Sequence, residues 1–209
     1  MKKIYNTEIK EELNKLFPSP VCELDYTYNH EFLLSVMLSA QTTDKRVNEV
    51  TKPLYKEYNT LEKLNTLSVD EIEEKIKKIG FHHTKSKNFK NIVEKLIELG
   101  GEVPNDRDIL ESMPGVGRKT ASVVLSNLYN VPSMAVDTHV FRVSNRLFIT
   151  NDNDDVVSTE RKLKKYFKEE DWNKINSQLV LFGRYICISR KPKCIECPFN
   201  HKCKITYKS

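Results

Sequence analysis

The chain has 209 residues, of which 39% are hydrophobic and 30% are charged, and only six are glycine. This apolar content is enough for a folded core and excludes a disordered chain, while the scarcity of glycine excludes a loop-rich β protein. The formal net charge of +5 suits a nucleic-acid partner, although many proteins with other functions share it. No segment approaches the ~18 apolar residues of a membrane span, and no apolar signal core follows Met1, so we expect a cytoplasmic protein with no membrane association.

Helical periodicity runs through the N-terminal half of the chain. Ile9, Leu13 and Leu16 lie on one face of a predicted helix. Ser68 and Glu71 have the spacing of a capping box, which predicts that a helix begins there. A longer apolar stripe covers residues 89–97 and is followed by Gly100 and Gly101, which are suited to end a helix.

Residues 113–121 read MPGVGRKTA and join two predicted helical segments, giving a helix-hairpin-helix at about residues 108–130. Two glycines allow positive φ and a close backbone approach. Their N–H groups, with the N-terminus of the next helix, can hold a phosphate oxygen. Arg118 and Lys119 add positive charge. The same glycines also suit an ordinary turn between helices, and Lys119 taken alone is typical of a solvated helix lysine.

Residues 131–150 are rich in Val, Thr and Phe and are compatible with either a strand or a helix. Val140, Val143 and Leu147 match helical spacing, and Asp137 stands where an N-cap is expected. We therefore predict a helix that begins after Asp137.

Two further helices are predicted in the C-terminal half. Ser158 is a candidate N-cap for the first, which carries apolar residues at 163–167, and Asp171 is a candidate for the second, at 172–186. Together these patterns predict an all-α fold of about nine or ten helices joined by short loops.

Four of the five cysteines are crowded near the C-terminus, at Cys187, Cys194, Cys197 and Cys203. A reducing cytosol disfavours structural disulfides, so this group is expected to bind a metal. Four thiolates can ligate either a single zinc ion or an iron–sulfur cluster, and composition does not choose between them. Cys22 lies outside the group and is expected to be a small buried residue.

The cysteine loop is also rich in positive charge. Its basic residues offset the negative charge of a thiolate-ligated centre and could contact DNA phosphates; they are Arg190, Lys191, Lys193, Lys202 and Lys204.

The motifs together resemble the endonuclease III family of DNA glycosylases. Residues 113–121 closely resemble its hairpin, residues 38–44 (LSAQTTD) look like its motif ahead of the hairpin, and residues 136–143 (VDTHVFRV) look like its catalytic-aspartate motif. The four cysteines look like its cluster ligands. The motifs occur in the family's order and at its spacing, from about residue 30 to the end of the chain.

The resemblance implies an all-α fold of two helical lobes. One is a six-helix lobe, residues 23–133, that contains the hairpin. The other combines residues 1–22 with residues 134–209 and carries a [4Fe–4S] cluster at residues 187–203.

The resemblance also implies a bifunctional DNA glycosylase and lyase of base excision repair. Such an enzyme removes oxidised or damaged pyrimidines from duplex DNA and cleaves abasic sites by β-elimination through a Schiff base. Lys119 would be the nucleophile, and Asp137 would be the carboxylate that stabilises the sugar cation while also capping its helix. The implied partner is double-stranded DNA with damaged bases or abasic sites, and we expect a monomer that is associated with the nucleoid in the cytoplasm.

Opening of the duplex is assigned to two positions by the resemblance. Gln41 would fill the gap left by the extruded base, and a residue after Ile79-Gly80 would wedge the opposite strand. The family carries leucine there, followed by Tyr-Asn, whereas this chain has Phe81-His82-His83. The alternative is that Phe81 packs on the core and both histidines are solvated. The remaining DNA contacts implied are Gly115, Val116, Gly117, Arg118, His139 and Lys191.

Two other functions fit parts of the pattern. An adenine or mismatch-specific glycosylase of the same superfamily shares the cluster, but it usually lacks the lysine and has a longer C-terminal domain. A non-catalytic, metal-stapled DNA-binding module would not require the pair Lys119 and Asp137.

Overall fold

The structure is a computed structural model and describes residues 4–205. These residues form eleven α-helices and one 3₁₀ turn, with no β-strand among them, as the all-α prediction required. The chain divides into two compact units, one of residues 23–130 and one of residues 1–22 with 131–209. In the described part of the chain, no helix has the length and apolar character needed to cross a membrane.

Residues 23–130 hold seven helices, one more than the six expected for this lobe. They are α2 (Asn29–Leu38), α3 (Asp44–Glu57), α4 (Leu61–Thr66), α5 (Val69–Ile76), α6 (His82–Glu98), α7 (Arg107–Ser112) and α8 (Arg118–Tyr129).

Helix α2 is the central element of this unit, because every residue from Glu31 to Leu38 is buried. It packs against α3, α6 and α8. The carboxylate of Glu31 accepts hydrogen bonds from the backbone N–H groups of Thr27 and Tyr28, at 2.6 and 3.2 Å, and so fixes the start of the helix. The core around it consists of Phe32, Leu33, Leu34, Leu38, Leu64, Ile72, Ile76, Phe89, Ile92, Val93 and Leu96.

In this unit, helix α5 begins and helix α6 ends where the sequence predicts. Ser68 caps α5 and forms a capping box with Glu71. Helix α6 ends before Gly100 and Gly101, which have φ of +86° and +90°. Such angles are readily adopted only by glycine, so the pair ends the helix and redirects the chain toward α7.

The second unit contains α1 (Asn6–Leu16), α9 (Thr138–Arg146), α10 (Val156–Tyr166), a 3₁₀ turn (Glu169–Asp171) and α11 (Trp172–Tyr185), followed by the cysteine loop. Helix α11 packs against both α1 and α9. The core of this second unit is formed by Ile9, Leu13, Val140, Val143, Leu147, Leu163, Ile175, Leu179, Phe182 and Phe199.

The helix caps of this unit differ in part from the prediction. Asp137 is the N-cap of α9, as expected. Ser158 is not the N-cap of α10; Asp155 is, and Ser158 is the third residue of the helix, completing a capping box with Asp155. Asp171 stands at the N-cap of α11, but its carboxylate accepts from Lys10 instead of from the helix backbone.

Candidate functional site

The hairpin between α7 and α8 requires its two glycines for different reasons. Gly115 has φ of +80°, and a Cβ there would lie 2.6 Å from Nδ2 of Asn88. Gly117 has φ of −90° and ψ of 178°, and a Cβ there would meet no atom within 4 Å. The fold therefore needs glycine at 115, whereas at 117 a side chain would only obstruct a molecule approaching from outside.

The hairpin presents backbone donors. Within residues 23–130, the N–H groups of Gly115 and Gly117 have no hydrogen-bond partner, and the first N–H groups of α8 cannot be satisfied within the helix. Val116 differs from its neighbours, because its side chain is 3% exposed and its N–H donates to the Met113 carbonyl oxygen at 3.1 Å. Val116 thus supports the turn from inside, and the surface of the hairpin is formed by the residues on either side of it.

Lys119 is the second residue of α8 and is exposed, next to the exposed Arg118. Within residues 23–130, its ammonium group has no hydrogen bond or ion pair. The aligned peptide dipoles of α8 place a partial positive charge at this end of the helix. An anionic ligand is therefore favoured at this position, with an amine beside it.

The turn that carries Gln41 is held by a buried lysine. Gln41 is exposed and has φ of +55°. Lys85 on α6 is only 5% exposed, and its Nζ donates to the carbonyl oxygens of Leu38 and Ala40, both at 2.8 Å, and to Oγ1 of Thr42 at 3.0 Å. Burial lowers the pKa of Lys85. Sequence reasoning did not single out Lys85, because a lysine on a helix ordinarily predicts a solvated side chain.

Phe81 projects from the turn between α5 and α6. It is 63% exposed and has a left-handed backbone, with φ of 61° and ψ of 29°. A bulky side chain in this conformation is unusual, and it does not pack on the core as the alternative interpretation expected. The two histidines that follow it are not simply solvated either, since Nδ1 of His83 lies 2.6 Å and Nδ1 of His82 lies 3.5 Å from Oε1 of Glu73.

In the other unit, Asp137 holds the start of α9 with one of its two carboxylate oxygens. Oδ1 accepts from the backbone N–H groups of His139 and Val140, both at 2.8 Å. Among the described residues of its own unit, nothing donates to Oδ2. The carboxylate is therefore fixed in orientation by the helix while retaining one oxygen for a further interaction.

His139 lies beside Asp137 on α9 and is half-buried against α11. Its Nδ1 is 3.2 Å from Arg142, and because a guanidinium can only donate, this nitrogen is the acceptor. Burial lowers the pKa of His139. The space next to it is limited, since a Cβ on Gly183 would lie 2.7 Å from the His139 Cβ.

The four predicted metal ligands line one cavity of about 320 Å³, counted out to its opening. The other lining residues are Arg146, Leu147, Phe182, Ile186, Pro192, Lys193 and Ile205. Burial raises the pKa of the Cys203 thiol and raises that of Cys197 to about 11. The structure therefore brings together all four sulfurs that the sequence predicted as ligands, in a largely apolar enclosure.

The four cysteines supply the donor set of a thiolate-bound metal centre. Of the cysteines, all within the described chain, no three have Sγ atoms within 4.8 Å of one another. Four thiols that line one enclosure fit either a thiolate-bound cluster or a single zinc ion.

Two arginines of α9 hold the start of the cysteine loop. Arg142 Nε donates to the carbonyl oxygen of Cys187 at 3.0 Å. Arg146 donates to the Ile188 and Ser189 carbonyl oxygens, at 2.8 and 3.0 Å, and lies 3.3 Å from the Cys187 sulfur. No local pattern in the sequence indicates these contacts, because they join residues more than 40 positions apart.

The basic residues of the cysteine loop fall into two groups. Lys202 forms an ion pair with Glu8 and Lys204 forms one with Asp152, both at 2.7 Å, so the charges of these two lysines are paired within their own unit. The exposed residues are Arg190, Lys191 and Lys193. Cys22, expected to be buried, is only half-buried.

Known proteins match this chain along nearly its whole length. Residues 34–169 match the model of the HhH-GPD superfamily base excision DNA repair proteins. Endonuclease III of Bacillus subtilis (strain 168) is 43% identical over 195 residues, 93% of this chain and 89% of that protein. Endonuclease III of Escherichia coli (strain K12) is 42% identical over 206 residues, 98% of this chain and 97% of that protein.

Solved structures agree with these relatives. A trapped endonuclease III–DNA covalent intermediate superimposes with a TM-score of 0.89 at 41% identity, covering 96% of each chain. A thermostable thymine-DNA glycosylase, at 23% identity, superimposes with a TM-score of 0.79 and shares the fold. On the family model and on relatives more than 40% identical over nearly its full length, the chain belongs to the HhH-GPD superfamily of base excision repair proteins and, within it, to the endonuclease III family.

Proposed function

We propose that the chain is a DNA glycosylase and abasic-site lyase that removes oxidised or ring-damaged pyrimidines from duplex DNA. The observation that carries the proposal is Lys119 in the first turn of α8, directly after the hairpin glycines, which is exposed and has no partner for its ammonium group within residues 23–130. It occurs in a chain of the endonuclease III family, one of whose members has been solved as a trapped covalent intermediate with DNA.

Lys119 is proposed as the nucleophile. Its neutral amine attacks C1′ of the damaged nucleotide, the bond from C1′ to the base breaks, and the base leaves with the bonding electrons and takes up a proton. The sugar ring then opens as the nitrogen forms a Schiff base with C1′. Loss of a proton from C2′ drives out the 3′ phosphate, which completes β-elimination.

Asp137 is proposed to stabilise the sugar as the base departs. Breaking the glycosidic bond develops positive charge on the sugar, which a fixed carboxylate favours. The cap holds Oδ1, and the unused Oδ2 supports this role, because the group needs no reorientation to offer negative charge.

The glycines and Arg118 of the hairpin are proposed to hold DNA phosphates through backbone N–H groups and positive charge. Gln41 and Phe81 are proposed to occupy the space of the opened base pair, and the exposure of both supports this. His139 and Lys191 are proposed as further DNA contacts. Lys191 is exposed, so its ammonium group can contact a DNA phosphate.

The four cysteines are proposed to hold a [4Fe–4S] cluster. The enclosure that brings all four thiols together supports the ligand set, and membership of the endonuclease III family supports the choice of cluster over zinc. When bound, the cluster would supply four metal–thiolate bonds that tie residues 187–203 together, and the exposed basic residues of the loop would then be fixed toward DNA. Arg146, beside Cys187, would offset the charge of its thiolate.

Borohydride trapping on a duplex with one abasic site tests the proposal. The wild-type chain should form a stable covalent adduct, and Lys119→Gln should form none while still binding the duplex. Lys87→Gln, which removes an exposed lysine of α6, is the matched control and should be trapped like the wild type. An adduct that forms at the wild-type rate in Lys119→Gln would identify another amine as the nucleophile and overturn the assignment.

A further inference from the structure

We propose that Glu73, His82 and His83 form a binding site for a divalent transition-metal ion of the zinc class. Glu73 lies on α5, and the histidines are the first two residues of α6. One ligand atom from each residue lies within 4.8 Å of the others, and among residues 4–205 no other three His, Cys, Asp or Glu residues meet this condition. The site is separate from the four cysteines, which belong to the other unit.

The distances are close to those of a tetrahedral zinc site. Bonds of ~2.0–2.1 Å in tetrahedral geometry place ligand atoms roughly 3.3–3.4 Å apart. Nδ1 of His82 is already 3.5 Å from Oε1 of Glu73. Nδ1 of His83 is 2.6 Å from the same oxygen, so this contact would open slightly as the ion enters. The His83 side chain is 76% exposed, which leaves its ring free to make that adjustment.

The choice of ion follows from the donor atoms. Two imidazoles and one carboxylate favour zinc, nickel or copper over magnesium and calcium, which prefer oxygen ligands alone. Three protein ligands leave one tetrahedral position for water.

His82 supplies an independent sign that a ligand is expected. Its Nδ1 is buried, and in the described chain it has no hydrogen-bond partner despite the nearby carboxylate. A buried ring nitrogen without a partner is unfavourable, and a cation between this atom and Glu73 would satisfy both groups.

The three ligands enclose the turn that carries Phe81. A bound ion would tie the end of α5 to the start of α6 across the five residues 77–81. Phe81 is exposed and held in a left-handed conformation that its side chain does not favour. The ion would therefore stabilise this turn in its present form, a consequence that does not depend on the proposed enzymatic function.

Calorimetric titration of the cluster-loaded, full-length protein with zinc chloride tests the binding. The wild type should bind one zinc ion per chain at this site while its visible cluster absorbance stays constant. Loss of even an outer-shell partner weakens metal binding by about 10- to 100-fold, so His83→Ala and Glu73→Gln should each weaken it by at least about tenfold. The matched controls Glu74→Gln and His201→Ala remove an adjacent carboxylate and an exposed histidine of the other unit, and should bind as the wild type does. Equal affinity in all five proteins, or no binding by the wild type, would overturn the site.

Hydrogen exchange of the backbone amides in residues 77–81 provides a second readout. Zinc should slow this exchange in the wild type and leave it unchanged in His83→Ala. If zinc binds at the site but exchange in the wild type is unaffected, the proposed stabilisation of the Phe81 turn is wrong.

Discussion

The Nζ atom of Lys85 lies 2.8 Å from the carbonyl oxygen of Ala40, the residue immediately before Gln41. Two more hydrogen bonds, to Leu38 and Thr42, enclose the same turn. A buried ammonium on α6 thus binds the backbone before Gln41 and the Thr42 side chain after it, and so holds Gln41 in a conformation with positive φ that a glutamine does not favour by itself.

We therefore predict that Lys85→Met impairs excision of a damaged base from paired duplex more than it impairs cleavage of a pre-formed abasic site. Methionine fills the space but leaves three acceptors without their donor, at a cost of about 1–3 kcal/mol in the free energy of unfolding. An abasic site needs less opening and so depends less on Gln41. Single-turnover rates on the two substrates measure the difference.

The control for this prediction is Lys90→Met. Lys90 lies on the same helix and donates to the Asn65 side chain at 2.8 Å, away from Gln41. It should leave the ratio of the two rates unchanged. An equal loss on both substrates in Lys85→Met would mean that Lys85 serves stability alone.

Alanine substitutions at the two hairpin glycines should differ in their effect on stability, although both should weaken DNA binding. Gly115→Ala places a side chain at positive φ beside Asn88 and should lower the free energy of unfolding by about 1–3 kcal/mol. Gly117→Ala adds a Cβ in open space on extended backbone, so its stability should change by no more than about 0.5–1 kcal/mol. Both should weaken duplex binding: Gly117→Ala because its Cβ obstructs the approach of phosphate to the backbone, and Gly115→Ala because the clash with Asn88 shifts the hairpin itself.

Thermal midpoints and fluorescence anisotropy across a salt series test this pair of variants. Binding should fall steeply with salt in the wild type, since phosphate contacts release counterions. If Gly117→Ala keeps the wild-type affinity at every salt concentration, the hairpin is only a structural turn and does not bind phosphate.

His30 should make the protein sensitive to mild acid. Burial lowers its pKa, opposed by the negative charges of Glu31 and Glu62, and its Nε2 is buried without a hydrogen-bond partner in the described chain. Because the folded pKa lies below the unfolded value of about 6.5, the unfolded chain takes up the proton first as pH falls. The contribution of His30 to stability is thus intact above pH ~6.5 and is lost as pH falls through the folded pKa.

We predict that His30→Gln reduces this loss. Its thermal midpoint should fall less than that of the wild type between pH 7 and pH 5, and the difference between the two proteins should be constant above pH 7. Melting curves that run parallel over the entire range would show that His30 does not titrate with unfolding.

Much of the fold could be predicted from local patterns. Helix α9 and its cap were predictable because all the signals lie close together in the sequence. The capping carboxylate of Asp137 and the apolar spacing of Val140 and Val143 belong to the same helix. The choice between Asp155 and Ser158 was harder, since both residue types cap helices. Asp155 accepts from the Ser158 N–H while Ser158 accepts from that of Asp155, so the two form one motif.

Contacts between distant residues could not be predicted. Lys202 pairs with Glu8, 194 positions away, and no pattern around Lys202 in the sequence indicates this ion pair. From the sequence, Lys85 is expected to be solvated like most helix lysines. It is buried because the distant turn at residues 38–42 packs over it and accepts its hydrogen bonds. The site formed by Glu73, His82 and His83 needs two helices to meet, and no single helix carries its spacing.

The last prediction separates the two roles of Asp137. Asparagine is as good an N-cap as aspartate, so Asp137→Asn should keep α9 and cost at most about 1 kcal/mol, from the lost charge at the helix N-terminus. Removing the charge should slow base release by about 10²–10³-fold, the range typical of a lost electrostatic group. Cleavage of a pre-formed abasic site should persist, because no base has to leave.

Asp137→Ala is the companion variant, because alanine removes both the charge and the cap. It should lower the free energy of unfolding by about 1 kcal/mol through the lost hydrogen bonds to His139 and Val140. If the carboxylate acts on the sugar, the two variants should release base equally slowly and differ only in thermal midpoint. If Asp137 is only a cap, Asp137→Asn should excise bases at the wild-type rate while Asp137→Ala loses stability. Single-turnover excision and thermal melting of the two variants, measured side by side, decide between these outcomes.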